Sequence, residues 1–315
     1  MKSYIKIILF NFVAVLVLFS LFEISIGMLI TDIKLAGTSK ELLVDSVFCT
    51  SPGLRKNYTG ESSGMKKKTN IFGGWQYTTE IDTQKAIELY LGDSVTMGIG
   101  VDNDSTFAGR ISNNINILNL SLIGYSIKDY KNILQTVFAN RLLKNKIHKV
   151  RIFWTLNDIY HFSTIRLTPA IEKDNVFFSV IDFLRKNSKT YIYLKNVVSD
   201  RAKVYYEYDR QYYNRENEYY KKSIKTIEDI SILCAELKVE LVFYLLPYEY
   251  QLRMGYNSTN YPQQLLLEDL MKFNDKVIDL GYKLNDYSDN SKLLYLYGDG
   301  IHLSNFGHKV ISEIL

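Results

Sequence analysis

Two cysteines in 315 residues, Cys49 and Cys234, are too few for a disulfide framework and exclude a zinc site of the paired C-x-x-C kind. They leave one bridge or two free thiols as the alternatives, and sequence does not show whether the pair meets. Charge of one sign is also scarce. The 38 basic residues against 34 acidic ones give a formal net charge of +4, without the basic excess that a nucleic-acid footprint requires. No nucleic-acid partner is therefore expected. His148, His161 and His308 stand at no metal-ligand spacing. The pair Gly98-Ile99-Gly100 lacks the third glycine and acidic partner of a dinucleotide fingerprint, no P-loop is present, and no repeat of fixed period runs through the chain. Neither a metal nor a cofactor is expected.

Apolar residues, in contrast, make up 47% of the chain, which suits a packed core and rules out a disordered tail protein. From Ile7 to Ile30 they run with a single charge, Glu23. At about 1.5 Å per residue such a helix crosses a ~30 Å hydrocarbon layer, so residues 1–32 read as a transmembrane anchor. A cleaved signal peptide competes with this, but its apolar region is usually only ~7–15 residues long and just Ser25-Ile26-Gly27 resembles a cleavage site. Lys2 and Lys6 precede the run and Asp32 follows it, with Lys34 and Lys40 softening the contrast. The positive-inside rule then favours a cytoplasmic N-terminus and an external remainder. Glu23, a turn or two from the outer end, is expected to reach the interface by snorkelling.

Residues 33–84 show no sustained periodicity and read as a stalk or irregular collar, with Lys66-Lys67-Lys68 as a solvated loop or a contact for anionic headgroups. From residue 85 the texture changes. Short apolar runs at 86–91, 115–120, 150–154, 241–246 and 277–280 alternate with helical stretches. That alternation predicts an α/β domain over 85–315, a parallel sheet of about five strands covered on both faces, with ligands at the carboxyl ends of its strands.

Polar groups suited to one chemistry follow three of these runs. After the first, Gly92-Asp93-Ser94 places a serine at a sharp strand-to-helix turn, where its hydroxyl lies near backbone N–H groups. After the second, Gly124 in Asn119-Leu120-Ser121-Leu122-Ile123-Gly124-Tyr125-Ser126 lets the backbone approach a ligand and offer its N–H. After the third, Trp154-Thr155-Leu156-Asn157-Asp158 brings a carboxamide to a strand end. Beyond the fifth lies Gly298-Asp299-Gly300-Ile301-His302-Leu303-Ser304, ahead of a helix from about Asn305. An aspartate three residues before a histidine can fix the ring's tautomer and leave its other nitrogen as a base. Taken singly these residues also suit ordinary turns; their joint order along one alternating fold supplies nucleophile, base, orienting acid and oxyanion donors. Asp93 and Asp158 are expected to hold loops.

With these residues the sequence resembles the SGNH, or GDSL-type, hydrolase family over residues 85–315, and Gly92-Asp93-Ser94 through Gly100-Val101 together with Gly124-Tyr125-Ser126 looks most like its membrane-anchored or exported bacterial members. The resemblance implies a flavodoxin-like sheet, Ser94 as nucleophile, His302 as base, Asp299 as its orienting acid, and an oxyanion hole of Ser94, Gly124 and Asn157. One block departs: Thr155 stands where the family has the glycine of G-x-N-D, which puts the backbone path around Asn157 in question.

The resemblance further implies an ester hydrolase outside the cytoplasm, single-pass in a bacterial inner membrane and facing the periplasm or cell exterior, that removes acyl groups from a glycan. An O-acyltransferase of a surface polysaccharide would use the same triad and need a membrane partner to deliver the acyl group. A non-catalytic glycan-binding module is the third class. Between the third and fourth runs, an insertion at about 163–215 is rich in tyrosine: Tyr191, Tyr193, Tyr205, Tyr206, Tyr208, Tyr212 and Tyr213. Their rings suit stacking on sugars or, equally, a packed cap over the sheet.

Overall fold

The computed structural model describes residues 2–30, 33, 40–62, 65–160, 176–274 and 276–315. Its first element, α1 (Lys2–Leu29), exposes apolar side chains round its circumference from Tyr4 to Leu29, and is long and apolar enough to cross a membrane.

Two antiparallel hairpins follow, β1 (Leu43–Phe48) with β2 (Ser51–Leu54) and β3 (Thr59–Ser62) with β4 (Met65–Lys68). This corrects the expected stalk. Leu42, Phe48, Leu54, Trp75 and Tyr77 are buried in the same core as the sheet that follows, and the Trp75 indole N–H donates to Ser121 O at 2.8 Å. These anchors are spaced irregularly among polar and small residues, so no period announces them. The lysine run is corrected too. Strand alternation turns the middle residue of Lys66-Lys67-Lys68 to the opposite face from its neighbours, and Lys67 is 1% exposed while Lys66 and Lys68 face solvent. Its ammonium donates to Gly98 O (3.1 Å) and Val101 O (2.7 Å), in the loop that follows Ser94. Burial pulls its pKa down to about 8, against the opposing charge of Asp102.

The main sheet has five parallel strands, β5 (Ile87–Gly92), β6 (Ile117–Asn119), β7 (Ile147–Trp154), β8 (Glu240–Leu245) and β9 (Val277–Asp279), in the order β6-β5-β7-β8-β9. This is the 2-1-3-4-5 order of flavodoxin-like folds, as expected. β5 is buried at all six positions, because helices cover both faces and leave no polar alternation. The charged exceptions in the strands neutralise one another: Arg151 Nε donates to Glu88 Oε2 at 2.7 Å and its Nη1 to the Tyr244 hydroxyl at 2.5 Å.

The helices are α2 (Ser94–Met97), α3 (Phe107–Ile111), α4 (Ile127–Ala139), α5 (Val176–Asn187), α6 (Lys189–Val198), α7 (Arg201–Arg210), α8 (Glu218–Glu236), α9 (Glu249–Arg253), α10 (Tyr256–Thr259), α11 (Tyr261–Leu270), α12 (Leu280–Leu284) and α13 (Asn305–Ile314). α4 packs on α8 and α8 on α11, while α3 packs on α13. Right-handed crossovers put these two groups on opposite faces, since the strand order reverses direction at β5. That reversal opens a crevice at the carboxyl ends of β5, β6 and β7. Within the tyrosine-rich insertion, residues 163–175 lie outside the described residues and the rest forms α5, α6 and α7. Cys49 is exposed and Cys234 buried, and both are free.

Candidate active site

The crevice is built first by the turn out of β5. Gly92 ends the strand where a Cβ would lie 2.1 Å from Thr96 Oγ1 and 3.2 Å from Phe153 O, so no larger residue fits. Asp93 caps α2 by accepting the Val95 N–H at 2.8 Å. Ser94 is the first residue of that helix, a position whose backbone N–H has no intrahelical acceptor.

The loop before α13 supplies the partner groups. His302 Nε2 is 2.9 Å from Ser94 Oγ, and its Nδ1 is 2.8 Å from Asp299 Oδ1. The same carboxylate oxygen accepts the N–H groups of Ile301 (3.0 Å) and His302 (2.8 Å). An ionised carboxylate only accepts, so the ring proton sits on Nδ1 and Nε2 is left to accept from the serine hydroxyl. Burial would raise the Asp299 carboxyl, but the charge and hydrogen bonds of His302, with Arg201 nearby, outweigh it and hold the group well below the usual carboxylate range. Burial likewise opposes a charge on His302, and Asp299 more than compensates, raising the imidazole above its ordinary value.

The other two strand ends converge from the side. Asn157 lies in the 3₁₀ turn Leu156–Ile159 directly after β7. The Thr155 hydroxyl donates to Asn157 Oδ1 at 2.6 Å, and the amide nitrogen lies 3.4 Å from Asp93 Oδ2. Asp93 Oδ2 is in turn 3.2 Å from Ser94 Oγ, so this carboxylate ties the serine and asparagine loops together. Asp158 is buried and accepts the Thr155 N–H at 3.0 Å. Burial, with the charge of Asp93, pushes its carboxyl well up. Gly124 follows β6 in a left-handed conformation with φ 79°, in a loop bound to the serine strand through Leu122 N–H and Gly92 O at 3.4 Å. The fold thus brings Ser94, His302 and Asp299 into one relay and sets Asn157 and Gly124 on the loops beside it.

Four groups of this neighbourhood have no local motif to reveal them. Lys67 holds the backbone after α2 from below. Arg201, at the start of α7, adds a positive charge near Asp299 and donates to the Tyr205 hydroxyl at 2.6 Å. Asn196 and Tyr193 of α6 abut the Gly298-Asp299 loop, Tyr193 stacked on Tyr297 with ring centroids 6.0 Å apart. Of the other insertion tyrosines, Tyr206 and Tyr213 are core residues, bonded to Thr259 O and Leu156 O, and Tyr208 packs edge-on against Tyr212. The remaining histidines stay apart. His308 is buried in α13, accepts the Phe107 N–H at 3.2 Å, and is driven down to about 3 chiefly by burial. His148 is half-exposed beside Glu88, and His161 lies outside the described residues. Among the described residues no cluster of three or more His, Cys, Asp or Glu is placed to hold a metal.

Gly300 makes this loop sensitive to one added methyl group. It has φ 80°, and a Cβ there would lie 2.3 Å from Ala202 Cβ and 2.7 Å from Ala202 Cα. Gly300→Ala is expected to cost about 1–3 kcal/mol of stability and to displace Asp299 and His302 enough to lower turnover by roughly 10²-fold. A thermal melt and an ester assay on the same sample check both effects; unchanged values for both would show that the loop yields freely.

No protein-family model and no curated protein matches the sequence. Among solved structures, the chain is similar to the psychrotrophic esterase EstA from a Pseudoalteromonas species, at 11% identity over 73% of this chain and 93% of that one, with a TM-score of 0.42. It is similar to Axe2, an acetylxylan esterase from Geobacillus stearothermophilus, at 12% identity over 72% and 91%, TM-score 0.43. A lipolytic protein described as of the G-D-S-L family, from Desulfitobacterium hafniense, matches at 16% identity over 73% and 100%, TM-score 0.40.

Proposed function

We propose that this chain is a serine acyl-ester hydrolase of the SGNH type, anchored by α1 with its catalytic domain outside the cytoplasm, and that it removes acyl groups from a glycan. The observation that carries the reading is the continuous relay from Asp299 through His302 to Ser94, with distances of 2.8 and 2.9 Å. His302 Nε2 takes the Ser94 proton as Oγ attacks the ester carbonyl, and Asp299 stabilises the imidazolium that forms. The tetrahedral oxyanion is met by the N–H groups of Ser94 and Gly124 and the Asn157 amide, each donor worth ~3 kcal/mol of barrier. His302 then protonates the leaving alcohol, and water repeats the sequence on the acyl-enzyme. The glycan part rests on the resemblance to exported family members; Tyr191 and Tyr205 neighbour Arg201, and Tyr193 stacks on Tyr297 beside the Gly298-Asp299 loop.

Transfer of the acyl group to a sugar hydroxyl uses the same acyl-enzyme, so the triad does not separate the two reactions. Hydrolysis is preferred because transfer outside the cytoplasm requires another membrane protein to supply the acyl group. Incubation with a small aryl acetate, with and without oligosaccharides, is expected to give free acetate as the main product by mass spectrometry. Acylated sugar as the main product would establish the transferase instead.

A further inference from the structure

We propose that α5 and α6 lie in the outer interface of the bilayer crossed by α1, clamped to it by Glu23, so that the Ser94 site works at the membrane surface. Glu23 does not snorkel into open solvent. Its Oε1 accepts the Lys189 N–H at 2.6 Å, and its Oε2 accepts the Thr190 N–H at 3.0 Å and the Ser188 hydroxyl at 2.8 Å. Ser188 Oγ accepts the next N–H, that of Tyr191, at 3.0 Å. Three of the four orphan donors at the start of α6 are thereby satisfied, and a carboxylate sits at the positive end of the helix dipole. Phe22 meets Tyr193 edge-on with centroids 6.4 Å apart.

Depth follows from length. A hydrocarbon layer takes about 20 helical residues, and counted from Ile7, where the apolar run begins, it ends at Ile26, within one turn of Glu23. The amides bonded to Glu23 therefore lie at the level where hydrocarbon gives way to headgroups. At that level α5 exposes Val180 and Phe183, and α6 exposes Leu194, Val197 and Val198, the last of them 83% exposed. Arg185, Lys189 and Lys195 accompany them on the same two helices, a composition suited to anionic headgroups above and acyl chains below. α6 packs directly on α1, and α5 on α6, and this selects the bilayer as the occupant.

From α6 the path to the catalytic loop is short. A cleft of about 350 Å³ is lined by Asn196, Val197, Val198, Tyr297, Gly298 and Asp299 among others. If the chain is an ester hydrolase, as proposed above, the esters it meets are those carried at the bilayer surface. Cleavage of α1 after residue 27 would strip the cap from α6, so the placement also requires a retained anchor.

The test uses the full chain with Cys49→Ser, reconstituted in vesicles of phosphatidylethanolamine and phosphatidylglycerol, with an environment-sensitive fluorophore on Phe183→Cys or Val197→Cys. Lys85→Cys, at the amino end of β5 and hence at the opposite end of the sheet from Ser94, is the control. Lipids brominated on their acyl chains are expected to quench the label at 183 and 197 by about half or more and to leave that at 85 unchanged. Unquenched emission at both positions overturns the placement. For the clamp, Glu23→Ala should speed hydrogen exchange at the Lys189 and Thr190 amides about tenfold, with Glu23→Gln between it and the parent; unchanged exchange in both variants overturns it. Neither measurement needs turnover, so quenching without esterase activity would count against the ester reading alone.

Discussion

Ser94→Ala and His302→Ala are each expected to lower turnover of a small aryl acetate by a factor on the order of 10⁴–10⁶, and the double variant to fall no further. In the proposed mechanism Ser94, His302 and Asp299 act as one unit: without the serine there is no oxygen to acylate, and without the imidazole its proton has nowhere to go. The near equality of the two losses is therefore the diagnostic, more than the size of either. Both substitutions shorten side chains at a crevice, and Asp93 continues to cap α2 through Val95, so the fold should survive and circular dichroism should be unchanged. Residual activity, from Gly124, Asn157 and substrate binding, should remain above the uncatalysed rate. Near-full activity in Ser94→Ala, with the fold intact, would remove the serine mechanism and require a different nucleophile; only a parent protein without activity would leave the glycan-binding module as the surviving class.

What could be read from the sequence was governed by how far apart the interacting residues lie. Strands buried on both faces are nearly continuous apolar runs, and the polar residues after them stand out, so all five strands and the positions of Ser94, Asn157 and the Asp299-His302 pair were legible. The limits of β7 were less so: it begins at Ile147, because His148 and Lys149 interrupt the apolar run before Val150. The collar was misjudged because Trp75, Leu54 and Phe48 each fill a separate gap and leave no period. Lys67 has a solvated surface lysine on either side, and only the hairpin's alternation turns it inward beneath Gly98 and Val101. Glu23 and Ser188 are 165 positions apart. Contacts of that separation have no local signature, and a lone carboxylate in an apolar helix resembles an exposed one until its partner is placed.

Asp299→Asn separates charge from geometry in the same site. Asparagine still offers a carbonyl oxygen to His302 Nδ1–H, but the negative charge that raises the imidazole above its ordinary value is gone. The catalytic base must be neutral, so in the parent kcat/KM should rise with pH through a point above the usual histidine value of ~6.5. In the variant that midpoint should move down, with the plateau reduced by roughly 10³-fold, a smaller loss than at Ser94 or His302. Stability should follow a different course. The His302 contribution is present below the ordinary histidine value and is lost as pH rises through its raised folded value. The Asp299 contribution is present above the ordinary carboxylate value and is lost only as pH falls through its depressed one. The ion pair thus stabilises the protein most between about pH 4 and 6.5, where the base is still protonated and slow. Raising the pH frees the base and dissolves the pair together, so activity should climb over the same interval in which the melting temperature declines. In Asp299→Asn that part of the melting-temperature decline should disappear. Rate profiles and melts of both proteins across this range test the coupling; a midpoint that stays in place or moves up in the variant would mean that Asp299 does not set the charge of His302.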